Sequence, residues 1–585
     1  MRWFPWKWLL RRASRRFGVL DPVTLLARVR QFAEPSEVYE PLEIVRAWVI
    51  FHARGVVNTR AIQHNLDWLW PYWIQRQFDP QDTSFIPRSY SVSHVNMTHR
   101  NWTAVGLPDL PLYPLVDPRG LVTPLYDGWS LAFWLVDDQG QQLVPSRLLD
   151  DGVQQHWHLA DPLTVASHFQ RDGLELSSRV AVEAASSEAD HQPVLRVNLE
   201  GQSPRGGYLV VGLRPYNCEG IQFIDRVEVA DNGRTWRVNG TDEVRFGEPA
   251  QEHHLGHYDE DDAFNSIQQT NGHNAIRDHV HCRVGMATAV ALFPLQEGAT
   301  GGFAKGIDIR VPLGEELKRL DQEGRVGPGP RASSWDEFDR HLPALELPEA
   351  TYVDLYRAAC RTLLLLSPHE VYPGPYVYRR FWYRDACLML NALLSINHGE
   401  RCWRIVEQAF PKRQRASGYF ESQEGEWDSN GQVLWLCERL WSHTGIAPSA
   451  SFAERLRRAA RWLDGKRMGP KGVYPGLLPA GFSAEHLGPN NYYYWDNFWA
   501  AGGLLAAERL FRAQGFPEDP HRAAAVSAAY LEAVENTWRP SPRSAAAAPC
   551  RRPPTDAWTP EPWGRWWWIT PCACGHPGRP GCSTR

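Results

Sequence analysis

The sequence predicts a multidomain chain with a β-sandwich in its N-terminal half and an all-helical domain after it. Three observations carry this. From about residue 85 to 325, short segments alternate apolar and polar residues at period 2, between turns rich in Gly, Asp, Asn and Pro. After about 345 the apolar residues recur at helical spacing instead. The chain is 585 residues long, and at roughly 100–200 residues per domain that leaves room for two to four domains with cores of their own.

In the β half, Leu174, Leu176, Ser178, Val180 and Val182 of LELSSRVAVEA alternate with polar or charged neighbours. SLAFWLV and QQLV flank Asp138-Gln139-Gly140, a hairpin signal, and VLRVNLEG and GGYLVVGLRPY supply further strands. Many strands with few helical patterns suit two packed sheets. The Gly/Pro-rich EGRVGPGPRASS then breaks the pattern. In the helical half, Trp382, Asp385, Met389, Ala392 and Ile396 share one helical spacing. So do Val433, Leu436 and Leu440, and Trp495, Phe498, Gly502 and Leu505. A long segment, 468–494, is too aromatic for plain disorder and long enough to be functional. The expected division is a helical basic arm over 1–84, the sandwich over 85–322, a linker over 323–348, the helical domain over 349–539 and a separate tail over 540–585.

Composition excludes several classes. With 62 Lys+Arg against 67 Asp+Glu the chain has no basic excess, so nucleic acid is not expected as a partner. No apolar run approaches the length of a membrane span. The arm carries eight Lys/Arg and one acid in its first 30 residues, without the apolar core of a signal peptide. It suits either packing on its own protein or weak peripheral contact with an anionic membrane surface. Ile62, Leu66 and Trp70 extend helical periodicity to about residue 80. Six scattered cysteines, Cys218, Cys282, Cys360, Cys387, Cys402 and Cys437, fit reduced core thiols and a cytoplasmic setting. The last 46 residues hold ten Pro, four Cys and no Leu, Val or Phe, and cannot give a helix a core face. They read as a shifted frame or a foreign tail, and no metal site is expected in CACGHPGRPGC. His253, His254 and His257, beside four acids, read as a solvated loop of the sandwich rather than a metal site.

The 27 Trp outnumber both Tyr and Phe, and flat apolar rings are what sugar rings stack on. Three segments place acids beside such rings at loop-to-helix junctions: RRFWYRDACLML, GYFESQEGEWDSNGQVLW and NNYYYWDNFWAAGG. Singly, each acid is explained by the preference for negative charge at a helix start, and Asp428 or Ser429 by N-capping. The threefold recurrence suits glycoside hydrolysis, which needs one carboxyl to protonate the leaving oxygen and a second carboxylate to act on water or the sugar.

YRDACLML resembles the first active-site motif of glucoamylase-type enzymes, the six-hairpin glycosidases with an (α/α)6 barrel. The resemblance implies that Arg384 and Asp385 grip the sugar, with Trp382 as a wall. WDSNGQVLWL is similar to the family's next loop-to-helix motif, which places Trp427 and Asp428 on the substrate-entry side. YYYWDNFW is similar to the motif before the sixth barrel helix, and implies Asp496 as general acid with Tyr494, Trp495 and Trp499 around it. Glucoamylases have Glu in that slot, and trehalase-like relatives have Asp. A sandwich followed by a helical barrel is also the order in bacterial and archaeal members of the clan. Across about 85–540 the resemblance implies a carbohydrate substrate, inverting hydrolysis of α-linked glucosides and no cofactor.

The pattern departs from the family at its end. The family's general base lies between the last two barrel helices, and only six or seven helices fit between 350 and 540. The expectation is therefore an incomplete barrel, no general base in this chain, little or no hydrolysis, and helix faces left exposed. Phosphorolysis on the same scaffold, and a non-catalytic carbohydrate-binding or non-functional fragment, are the alternatives.

Overall fold

The computed structural model describes Ile62, Asn65, residues 67–76 and residues 102–538, the latter apart from 127, 149–151, 185–191, 219, 268–276, 299–300, 323–333, 376–378, 380 and 483–489. Most of the basic arm and the whole tail thus lie outside the described residues, and so do the expectations placed on them. What is described is a mixed architecture of two antiparallel sheets followed by a series of α-helices.

Strands of six or more residues are numbered here: β1 (Ser130–Asp137), β2 (Val153–His158), β3 (Thr164–Arg171), β4 (Leu174–Glu183), β5 (Val194–Ser203), β6 (Gly207–Arg214), β7 (Glu252–His257), β8 (Ala287–Pro294) and β9 (Phe303–Pro312). The first sheet runs β1-β6-β8-β7 and the second β9-β5-β4-β3-β2, with shorter strands at the edges. The alternation expected of β4 holds: Leu174, Leu176, Ser178, Val180 and Val182 are all buried. The hairpin at Asp138-Gln139-Gly140 also forms. Asp137 Oδ1 accepts from the backbone N–H groups of Gln139 and Gln141, at 2.9 and 2.8 Å, and Gly140 takes the positive φ of 80° that the turn needs.

The two sheets share one apolar core. At Gly201 on β5 the two sheets approach closely, since a Cβ there would lie 2.6 Å from Leu135 Cδ1 of β1 and 3.0 Å from Leu209 Cδ1 of β6. β1 is buried along its whole length on both faces. Its far side is covered by Phe264, edge-on to Trp134 at 4.8 Å, and by the segment around Leu69. That segment departs from the helix read through Trp70. Residues 67–71 are not helical, Pro71 is the N-cap of a four-residue helix at Tyr72–Gln75, and Trp70 is buried with its Nε1 donating to the Asn65 carbonyl. The 253–257 histidines also depart from expectation, because they belong to β7 rather than a loop. Trp236 Nε1 donates to His253 Nδ1 at 3.1 Å while the other ring nitrogen meets the Gly233 carbonyl, which fits a neutral ring whose pKa burial lowers. No metal-binding cluster occurs among the described residues. The six cysteines of the folded halves are buried thiols.

Within the stretch read as linker, Trp335–Asp339 form a short helix capped by Ser334. It docks onto the β half through Trp335, which is fully buried and donates from Nε1 to the Gly106 carbonyl at 2.9 Å. The helices that follow are α1 (Ala350–Leu365), α2 (Tyr383–Ser395), α3 (Gly399–Ala409), α4 (Ser429–Thr444), α5 (Ala450–Lys466), α6 (Tyr494–Ala513) and α7 (Asp519–Trp538). Helix α4 packs between α2 and α6, while α3 packs on α2 and α4, α5 on α4 and α6, and α7 on α6. None of them is long and apolar enough to cross a membrane.

Two glycines set the phase of the α4–α6 contact. A Cβ on Gly431 would lie 2.1 Å from the Trp499 carbonyl oxygen, and one on Gly503 would lie 2.3 Å from that of Gly431. The backbones touch there, which leaves the N-terminal ends of α4 and α6 side by side. Gly503→Val should lower the melting temperature of the intact chain: overpacking costs about 1–3 kcal/mol, while the helix-propensity gain over glycine is less than about 1 kcal/mol. An unchanged melting temperature would contradict this crossing.

The apolar stripe Trp495, Phe498, Gly502 and Leu505 on α6 is exposed, as is Leu388 on α2. The buried side of α6 is instead Ala500, Ala501, Leu504, Ala507 and Leu510. Exposed helix faces were expected, and these are where they lie.

Candidate active site

Helices α2, α4 and α6 begin at the same end of the helical layer, each preceded by an aromatic-rich loop. Their first residues carry the three acids singled out in the sequence. Asp385 lies in the first turn of α2, Asp428 at the N-cap position of α4, and Asp496 in the first turn of α6. The simplest reading of Asp428 was as a helix cap, but its side chain makes no capping hydrogen bond. Its Oδ2 instead accepts from Trp495 Nε1 at 2.8 Å and from Gln432 Nε2 at 2.9 Å, and lies 3.6 Å from Arg384 Nη1.

Arg384 stands among the acids. Asp385 Oδ2 lies 3.9 Å from its Nε, and Glu426 Oε1 lies 3.9 Å from its Nη1. All three of these carboxylate distances exceed a hydrogen bond, which places the groups around the guanidinium without locking them to it. Asp496, Asp428 and Glu426 are buried. Asp496 is therefore held well above the usual carboxylate range, first by burial and then by the charges of Asp428 and Glu426, with Arg384 opposing. A buried carboxyl whose pKa is raised beside ionisable neighbours is what a general acid requires. Tyr493, immediately before α6, is pushed up to about 12 by burial and by Asp496, so it remains a phenol.

The remaining predicted residues divide. Trp495 is about half exposed, with its ring edge-on to Trp499 at 5.7 Å, and Trp499 is in turn edge-on to Trp435 at 5.4 Å. Together they form an aromatic wall beside Asp428. Trp382 is the N-cap residue of α2 and is partly buried. Trp427 is buried against Tyr419 and Trp462, with Lys466 Nζ 4.1 Å above its ring and its Nε1 donating to the Ala480 carbonyl. Its faces are taken up by protein, and its contacts tie the two loops together. The hydroxyl of Tyr494 pairs with Thr537 on α7 at 2.8 Å, away from the acids.

The described parts of the long segment, residues 468–482 and 490–493, are built onto the site. Phe482 N–H donates to the Gly425 carbonyl, Gly481 and Asn491 exchange both backbone bonds, and Leu478 N–H donates to Asn497 Oδ1. Asn430 holds the other loop, accepting from Phe420 N–H and donating to the Gly418 and Ala459 carbonyls. Sequence reasoning had not selected Glu426, Gln432 or Tyr493 as site residues. The signal for the first was present, in two acids flanking Trp427 just before a helix; Gln432 lies one helical turn after Asp428.

No family model matches the chain, and no curated protein matches it by sequence. Among solved structures 64 chains match. A bacterial glucoamylase in complex with acarbose has a TM-score of 0.51 at 10% identity, over 75% of this chain and 68% of that one. A protein described as a kojibiose phosphorylase from the human microbiome has a TM-score of 0.38 at 9% identity, over 73% of this chain and 63% of that one. A family GH92 α-mannosidase from Bacteroides thetaiotaomicron has 0.39 at 9%, over 74% and 63%. The first likeness is one of fold, and the TM-scores of the other two are too low to carry an argument. The chain spans just under two thirds of the length of those two.

Proposed function

We propose that this chain is a carbohydrate-active protein of the six-hairpin glycosidase type, with its helices forming part of an (α/α)6 barrel behind a β-sandwich. The site at the starts of α2, α4 and α6 takes an α-linked glucoside or a related sugar. The observation that supports this most is the buried Asp496, raised by Asp428 and Glu426 and set beside Arg384 and the Trp495–Trp499 wall. In this reading Asp496 protonates the leaving oxygen. Arg384 and Asp385 hold sugar hydroxyls, Asp428 orients Trp495, and Trp382, Trp495 and Trp499 supply apolar surface, while Trp427 and Tyr494 fix the loop and helix that carry them.

Asp385, Glu426, Asp428 and Asp496 all come from one end of three adjacent helices. Inverting hydrolysis needs a second carboxylate on the opposite face of the sugar, about 6.5–9.5 Å from the acid. The reading places no such base among the described residues, so turnover should be slow, by about the 10²–10⁴-fold that a general base supplies. Incubation of the chain at high concentration with α-glucosyl fluoride, which yields a single glucose, followed by NMR of the first product ahead of mutarotation tests this: slow release of β-glucose is expected, and initial release of the α-anomer would rule out inversion.

A further inference from the structure

A small cavity lies between the first sheet and the 67–76 segment laid over it. Its volume is about 20 Å³, room for a single water. Ala132, Phe133 and Trp134 of β1 form its floor, and Leu69, Pro71 and Tyr72 form its cover. Two polar atoms of its lining are unsatisfied. Asp117 is buried, and its Oδ1 accepts from the N–H groups of Arg119 and Leu121 at 2.8 and 2.9 Å. Its Oδ2 is also buried and has no hydrogen-bond partner among the described residues, and neither has Ser146 Oγ.

The charge on Asp117 therefore matters to the cavity. A neutral carboxyl needs one acceptor, which Ser146 Oγ or a single water supplies. A carboxylate needs donors at Oδ2, and the side chains of Leu69, Pro71, Leu121 and Phe133 offer none. The charged and titratable groups packed around it are Arg119 in its own turn, Tyr72 on the cover, Arg147 beside Ser146, and Tyr216 with the Arg214–Asp262 pair behind it. The Arg119 guanidinium donates to the Pro118 and Leu148 carbonyls, each at 3.4 Å, and stands over the Tyr72 ring. Tyr216 is pushed up to about 12 by burial and stays a phenol, its hydroxyl donating to the Leu69 carbonyl. Burial outweighs the two N–H bonds and Arg119, and pushes Asp117 up to about 6.

Floor and cover are held differently. β1 is hydrogen-bonded to β6 along its length, while the cover lies outside both sheets. Leu69 is tied to Arg214, Tyr216 and Asp262, and Pro71 and Tyr72 then cross the cavity. We propose that this cover is a pH-sensitive clasp: it closes over protonated Asp117, and ionisation of Asp117 loosens it at Pro71 and Tyr72 to admit water. The basic arm precedes the segment in the chain, so the clasp sets how firmly the arm is tied to the first sheet. The assignment does not depend on the sugar reading of the acid cluster, because the two sites share no residue.

The sign follows from the raised value of Asp117. Closure is fullest below the solvated value of about 3.9, weakens as pH rises to about 6, and stays level above that. Hydrogen exchange of the full chain from about pH 4 to 8, corrected for intrinsic rates, tests this. Protection of 68–76 should fall at least tenfold up to about pH 6 and then level off, at exposure times too short for β4 to exchange. Asp117→Asn keeps the Oδ1 acceptor but has no charge to gain, and should abolish the fall. Tyr72→Ala opens the cavity to water, and should leave 68–76 weakly protected at every pH. A flat wild-type profile overturns the proposal, as does a fall that persists in either folded variant. Exchange of 68–76 only together with β4 overturns it too, since the opening would then be global.

Discussion

Replacing Asp496 by asparagine should reduce turnover of an α-linked glucoside by about 10²–10⁴-fold, the usual contribution of a general acid, and leave sugar binding in place. Asparagine keeps the shape and the hydrogen-bonding reach of the side chain but has no proton to give. The loss should shrink on α-glucosyl fluoride, whose leaving group needs no protonation. An equal loss on both substrates would mean that Asp496 acts through positioning rather than proton transfer.

The same substitution has a second, opposite consequence. Burial and the charges of Asp428 and Glu426 raise the pKa of Asp496 in the folded chain. The native state therefore holds this proton more tightly than the unfolded one, and the stability it contributes is full below the unfolded value of about 3.9 and is lost as pH rises through the folded value. Asp496→Asn fixes the neutral form. The variant should gain stability relative to the wild type as pH rises above about 4, with the difference between the two levelling off above the folded pKa. A difference that is flat across that window would contradict the raised pKa.

Arg214→Met should strongly destabilise the β half, by about 3–5 kcal/mol. Arg214 and Asp262 are fully buried and paired through two bonds, of 2.6 and 2.5 Å. The guanidinium also donates to the Leu69 carbonyl at 2.8 Å and to the Tyr216 hydroxyl at 3.2 Å. Asp262 in turn accepts from the Leu69 and Phe264 N–H groups. The pair therefore fixes the 67–76 segment over the first sheet, and methionine would leave a buried carboxylate without its cation. Denaturant melts should show the loss, with Arg214→Lys recovering part of it. A change below about 1 kcal/mol would show that the carboxylate finds water or another partner, as an exposed pair does.

The sequence and the structure agree where local chemistry decides the outcome. The alternation from Leu174 to Val182, the Asp-Gln-Gly turn and the acids at three helix starts were all legible, because each depends on residues close together in the chain. What was not legible depends on rotation and contact between elements. The stripe of Trp495, Phe498 and Leu505 announces a helix, yet it is the exposed side of α6. The alanine and glycine side allows closer approach to α4, and the meeting of Gly431 with Gly503 sets the phase. That rotation carries Trp495 to Asp428 and Tyr494 to Thr537, a difference of one residue that periodicity could not resolve. Trp427 looked like a sugar-facing ring because it stands between two acids, but the cage of Tyr419, Trp462 and Lys466 is assembled from α5 and a loop, out of reach of any local pattern.

The central claim, that the cluster of Arg384, Asp385, Asp428 and Asp496 receives a sugar, is tested most directly by calorimetric titration of the folded chain with maltose and related α-linked glucosides, beside Arg384→Ala. A hydrogen bond to a charged group is worth about 1.5–3 kcal/mol, so the variant should bind at least tenfold more weakly than the wild type. Binding that is equally tight in Arg384→Ala, or no binding of any α-linked glucoside by the folded wild-type chain, would contradict the claim.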